Sequence, residues 1–214
     1  MEKIETPEGA VSAVFDGPED ARLMVVLAHG AGAGMDSDFM REMASALGAE
    51  GFRVCRFNFV YTELGKKAPD RQNVLEETYV AVVEALRPGA DPLVIGGKSL
   101  GGRIASTIAA QGAPVDGLAF LGYPLQPPGK PERIRKAHLP DIQVPMLFVE
   151  GTRDPFCPLA TLEEVRAELT APNEVHVIDG GDHSFKVPKS SGRSTPDAWA
   201  EAAAAVAGWL RETF

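Results

Sequence analysis

The sequence is short of thiols, of basic charge and of long apolar runs, and each shortage removes a class of protein. Only 2 of its 214 residues are cysteine. Cys55 sits in a strand-like run and Cys157 in a loop, without metal-ligand spacing, so neither a disulfide framework nor a thiolate metal site is expected, and both thiols should be reduced. No apolar run approaches the roughly 20 residues of a membrane span, and MEKIETPEGA lacks the apolar stretch of a signal peptide. The expectation is a soluble, cytoplasmic protein with no membrane partner. With a formal net charge of -9 and no basic stripe, nucleic acid is not expected as a partner either. No internal repeat is present.

What is there reads as one domain spanning 1–214, since 44% hydrophobic residues suffice for one substantial core. Apolar, β-branched runs near 11–15, 22–28, 53–59, 93–96, 117–122, 145–150 and 174–178 are bounded by Gly, Pro, Asp or Asn and read as strands. Helix-period segments lie between them near 37–49, 70–87, 100–111 and 160–169, and an alanine-rich helix over 196–212 closes the chain. In that last helix Trp199, Ala202, Ala203, Val206 and Leu210 share one packing face, with no function expected of them. The alternation predicts an α/β fold: a mostly parallel sheet of about seven strands with helices on both faces. The first run, followed by Asp16-Gly17-Pro18-Glu19-Asp20, is expected to form an antiparallel edge hairpin. The longest irregular connection, Tyr123 to Val144, contains Pro124, Pro127, Pro128, Pro131 and Pro140 and is too short for a large lid.

The most informative stretch is Gly96-Gly97-Lys98-Ser99-Leu100-Gly101-Gly102. It contains G-x-S-x-G between a strand and a helix, the context in which this pattern presents a nucleophile on a strained turn. Glycines there relieve clashes with the flanking strand and helix, and the helix starting near Leu100 aims free N–H groups at developing negative charge. A glycine-rich turn with an incidental serine is the bland alternative. A P-loop is not, because the position of its first glycine is Pro92.

A serine hydroxyl needs a base oriented by a carboxylate. Of the histidines, His176 falls inside a strand, His138 in the proline-rich connection and His29 at an early strand's end. His183, in Gly180-Gly181-Asp182-His183-Ser184-Phe185, follows the last strand and has the address of the base. Asp154, in Gly151-Thr152-Arg153-Asp154-Pro155, completes the chain order Ser, Asp, His; Asp182 is the rival carboxylate and Asp179 a weaker one. The two N–H donors for an oxyanion are assigned to Leu100 and to Ala31, in the small-residue run His29-Gly30-Ala31-Gly32-Ala33-Gly34.

HGAGAG, GGKSLGG, GTRDPFCP and GGDHSF, in this order and spacing, resemble a small, nearly lidless α/β-hydrolase over nearly the whole chain. The similarity is greatest to dienelactone-hydrolase-like enzymes and to the testis-expressed-30-like group of predicted hydrolases. The resemblance implies the α/β-hydrolase fold, a Ser99–Asp154–His183 triad, an oxyanion hole at Ala31 and Leu100, and no metal or organic cofactor. Dienelactone hydrolases carry cysteine where this chain has Ser99, so their substrate is not carried over. The first strand of the usual eight-stranded sheet looks absent.

The expected partner is therefore a small-molecule ester or thioester, cleaved through an acyl-enzyme. A hydrolase-fold scaffold for protein interaction is the alternative, with a lone-serine transferase behind it. Phe39, Phe59, Tyr61, Tyr123 and Phe156 fall near the carboxyl ends of strands and are expected to line a small acyl pocket, plain packing being the other reading. Lys98, Arg103, Arg153 and Lys186 lie near site residues in sequence, and Lys130, Arg133, Arg135 and Lys136 lie in the long connection. They suggest an anionic substrate, against the simpler reading of solvated surface charges.

Overall fold

Each apolar strand buries both faces only if helices cover the sheet above and below, and the chain alternates so as to supply them. The computed structural model describes residues 1–127, 129–130 and 132–214. Pro128 and Pro131 of the long connection lie outside the described residues.

In chain order the elements are β1 (Glu2–Ile4), β2 (Val11–Asp16), β3 (Met24–Ala28), α1 (Asp38–Ala49), β4 (Arg53–Phe57), α2 (Val60–Glu63), α3 (Gln72–Leu86), β5 (Leu93–Lys98), α4 (Leu100–Ala110), β6 (Gly117–Leu121), β7 (Met146–Gly151), α5 (Leu159–Arg166), β8 (Asn173–Ile178) and α6 (Thr195–Thr213). The sheet runs β1-β2-β4-β3-β5-β6-β7-β8. From β4 to β8 every pairing is parallel, while β1 and β2 are antiparallel.

Two expectations need correction. The sheet has eight strands, because β1 is present; only Ile4 of its three residues is buried, so no apolar run announces it. Nor does the Asp16–Asp20 turn close a hairpin. β2 is antiparallel, but to β4, which lies between β2 and β3, and the hairpin is β1 with β2. Local sequence marks the turn without saying which strand returns beside it.

The sheet divides the core into two apolar layers. Val82, Val83, Ile104, Ile108, Leu162 and Val165 pack α3, α4 and α5 on one face. Met40, Met43, Leu47, Ala202, Val206 and Leu210 pack α1 and α6 on the other. Helix α6 begins at a capping box, in which Ser194 and Asp197 exchange side-chain-to-backbone hydrogen bonds and so occupy N–H groups that helix geometry leaves free. No helix among the described residues is long and apolar enough to cross a membrane.

The chain leaves β3 outward to β4 and then crosses back to β5. Strand order thus reverses between β3 and β5, where a crevice opens at the strands' carboxyl ends. Ala28 and Lys98 end the two strands, so His29–Gly34 and Ser99 face one another across it.

Candidate active site

Ser99 occupies the sharp turn from β5 into α4 with φ 50° and ψ −109°, a conformation that L-residues rarely adopt. Its backbone N–H donates to Leu121 O at 3.1 Å, which ties the turn to β6. The neighbouring glycines are a matter of distance. A Cβ at Gly97 (φ 148°) would lie 2.1 Å from Ala28 O, and one at Gly101 would lie 2.2 Å from the same atom. Any side chain there would push β5 and α4 away from β3.

Among the described residues, Phe185 is the other non-glycine with positive φ (58°), and it too belongs to the site. It closes the turn that carries His183. Asp182 Oδ1 accepts N–H from Ser184 at 2.8 Å and from Lys186 at 2.9 Å, and the buried Phe185 ring anchors the turn against Phe39. Asp182 is therefore occupied with its own loop.

His183 Nε2 lies 2.8 Å from Ser99 Oγ, and His183 Nδ1 lies 2.6 Å from Asp154 Oδ2. The other Asp154 oxygen accepts Phe156 N–H at 2.8 Å, and the side chain has no solvent exposure. A carboxylate held this way requires Nδ1 to carry the proton, leaving Nε2 as acceptor for the serine hydroxyl. Phe156 sets its ring edge-on to the imidazole, with centroids 4.6 Å apart. Residues 84 positions apart in sequence thus meet in one hydrogen-bonded line.

The facing loop is fixed from beneath by His29, which is fully buried. Its Nδ1–H donates to Gly30 O at 2.9 Å while Nε2 accepts Phe59 N–H at 3.2 Å. Burial lowers its pKa and keeps the imidazole neutral, as that bonding requires. Asn58 accepts Met35 N–H at 2.9 Å further along the same loop. The backbone N–H groups of Ala31 and Leu100 have no hydrogen-bond partner among the described residues, and both residues border the space above Ser99.

Two cavities flank Ser99 and His183. One, of about 430 Å³, is lined by Ala33, Phe39, Met40 and Trp199, together with Lys98 and Lys186. The other, of about 230 Å³, is lined by Leu100, Arg103, Pro124, Arg135 and Phe156. Ala31, Ser99 and His183 border both.

Not every expected site residue reaches this crevice. Phe59, Tyr61 and Tyr123 are core residues, each at most 1% exposed, and line neither cavity. Phe59 packs on His29, Phe57 and Tyr79, and Tyr61 stacks on Phe59. Tyr123 places its hydroxyl 2.9 Å from Ser106 Oγ. A residue just past a strand can point up into the crevice or down into the helix layer, and sequence position does not distinguish the two. Conversely Trp199, assigned to packing alone, lines the larger cavity and donates to Ser184 O at 3.0 Å.

Lys98 also departs from expectation. It borders the larger cavity, but its ammonium is sealed from solvent without a hydrogen-bond partner among the described residues. Burial holds its pKa down, to about 8, against the pull of Glu150, Asp154 and Asp182. Glu150, which accepts Tyr123 N–H at 2.5 Å, is pushed well up by burial. The two buried groups act on each other's charge and on that of Asp154. Of the remaining basic residues, Arg153 donates to Gly180 O, Lys136 pairs with Glu168, and Lys130 and Arg133 are exposed.

Residues 21–211 match a family described as alpha/beta hydrolase domain. Among solved structures, the chain is similar to Est1E from Butyrivibrio proteoclasticus with ferulic acid bound (TM-score 0.82, 15% identity, covering 100% of this chain and 99% of that one). It is similar to a dienelactone hydrolase from Anabaena variabilis (TM-score 0.79, 18% identity, 100% and 96% covered). It is also similar to a serine hydrolase without lid from Xanthomonas campestris (TM-score 0.72, 20% identity, 97% and 93% covered). The shared fold spans nearly the whole chain in each case.

Proposed function

We propose, from the premise that this chain belongs to the alpha/beta hydrolase family, that it is a serine hydrolase of carboxylic esters or thioesters. The observation that carries the reading is the line Ser99 Oγ, His183, Asp154, with separations of 2.8 and 2.6 Å, at the mouth of a crevice.

In the first step Ser99 Oγ attacks the carbonyl carbon and its proton passes to His183 Nε2. The carbonyl π electrons move to oxygen, and the Ala31 and Leu100 N–H groups receive the oxyanion. The resulting imidazolium is stabilised by the Asp154 carboxylate. As the tetrahedral intermediate collapses, His183 returns the proton to the leaving oxygen or sulfur and an acyl-Ser99 ester remains. Water, deprotonated by His183, attacks that ester by the reverse geometry, releasing the acid and restoring the serine. No cofactor enters the cycle.

The test is labelling of intact protein with a fluorophosphonate, read by mass spectrometry, beside Ser99→Ala. One adduct on the native protein, lost in the variant, is the expected result. A folded protein that takes up no adduct would refute an activated serine and leave a scaffold for protein interaction as the better reading.

A further inference from the structure

The smaller cavity carries two positive charges that no carboxylate among the described residues pairs with directly. Arg103, in the first turn of α4, and Arg135, in the connection between β6 and β7, both line it beside Ser99 and Leu100. Arginines elsewhere, such as Arg56, Arg87 and Arg166, pair with carboxylates. Neither Arg103 nor Arg135 has a carboxylate at ion-pair distance among the described residues. Arg103 reaches only the neutral amide of Gln72, at 3.4 Å. Glu76, the acidic group whose charge acts on Arg103, already accepts hydrogen bonds from Gln72 and Gln111.

Burial, and then the charge of Arg135, lowers the pKa of Arg103, as like charges brought together out of water must. Holding two half-buried guanidiniums at one small cavity is costly unless an anion joins them, and their planar donor arrays suit a carboxylate. With a net charge of -9 on the whole chain, a single negative charge is favoured over a polyanion. The wall on the other side of Ser99 is largely apolar, formed by Ala33, Phe39, Met40 and Trp199, with the Lys98 ammonium buried and Lys186 exposed.

We infer that the substrate is an ester or thioester of split polarity, with a carboxylate over Arg103 and Arg135 and an apolar group against Phe39, Met40 and Trp199. This rests on Ser99 being the nucleophile, because the two cavities then receive the two sides of the scissile bond.

Two substrate pairs separate the arms. Monomethyl succinate against methyl butyrate puts the carboxylate on the acyl side, and acetoxyacetate against 2-methoxyethyl acetate puts it on the leaving group. The expected result is a kcat/KM ratio of about 10- to 100-fold in favour of the anion in one arm, the worth of a charge-assisted contact. Arg135→Gln should lower that ratio by a similar factor, added salt should lower it too, and Arg133→Gln, on an exposed neighbour outside the cavity, should leave it unchanged. A ratio near one in both arms, or one that Arg135→Gln does not move, overturns the inference.

Calorimetric titration of Ser99→Ala with the two anions reads binding without turnover, and binding should be lost in Ser99→Ala/Arg135→Gln. Anion binding without fluorophosphonate labelling would sink the hydrolase reading and keep the site. Labelling with no binding and no preference would do the reverse.

Discussion

Gly101→Ala tests whether the approach of α4 to β3 sets the site. The added methyl would lie 2.2 Å from Ala28 O, 2.6 Å from Ala28 C and 2.8 Å from Ala28 Cβ. Ordinary carbon–oxygen contacts are about 3.3 Å or longer, so the shortfall is about 1 Å. Both partners are backbone of regular elements, so no side chain can swing aside. Helix α4 must move away from β3 by about that distance, carrying Ser99 and the Leu100 N–H away from Ala31. Overpacking of this kind costs about 1–3 kcal/mol, which in a chain of this size lowers Tm by about 2–12 °C. A displacement of about 1 Å at the reacting atoms costs on the order of 100-fold in rate. The experiment measures Tm by calorimetry and the rate of fluorophosphonate labelling on the same preparation. Slower labelling in protein that is still folded is the expected result. Wild-type Tm together with a wild-type labelling rate would show that the strand–helix contact does not set the site's geometry.

Asp154→Asn should lower kcat by about 10⁴ with little change in Tm, because the correct tautomer of His183 is lost while the Phe156 N–H keeps its acceptor. Asp182→Asn should cost far less in kcat, and the opposite ranking would hand the orienting place to Asp182. The Cys55 thiol is pushed up to about 12 by burial, and Cys157 is raised by burial and then by Glu150 and Asp154. At pH 8 the thiolate fraction of Cys55 is then about 10⁻⁴. Iodoacetamide should modify neither thiol in native protein and both in guanidinium, with Cys55 becoming reactive as pH rises toward 12; fast alkylation of the native chain at pH 8 would contradict the packing around them.

Much of this protein is determined by short-range pattern. Apolar runs bounded by turn residues mark seven of the strands, and helical periodicity marks the five longer helices, because burial on a sheet or helix face dictates residue type at a fixed spacing. Ser99, His183, Asp154, Ala31 and Leu100 were legible for a related reason: each follows a strand, and every parallel strand delivers its carboxyl end to the same edge of the sheet. Only the tertiary structure decided matters that depend on neighbours distant in sequence. It inserted β4 between β2 and β3, and it paired a three-residue β1 that has almost no apolar signal of its own. It turned Phe59, Tyr61 and Tyr123 down into the core and brought Trp199 up from α6 to a cavity wall. It set Asp154, and not Asp182, against His183 Nδ1, and gave Asp182 two backbone N–H groups to hold. From eight basic residues scattered through the sequence it set Arg103 and Arg135 together at Ser99 and left Arg153 and Lys136 with other partners. Side-chain direction and charge pairing are properties of packed surfaces, and those surfaces exist only once the sheet has assembled.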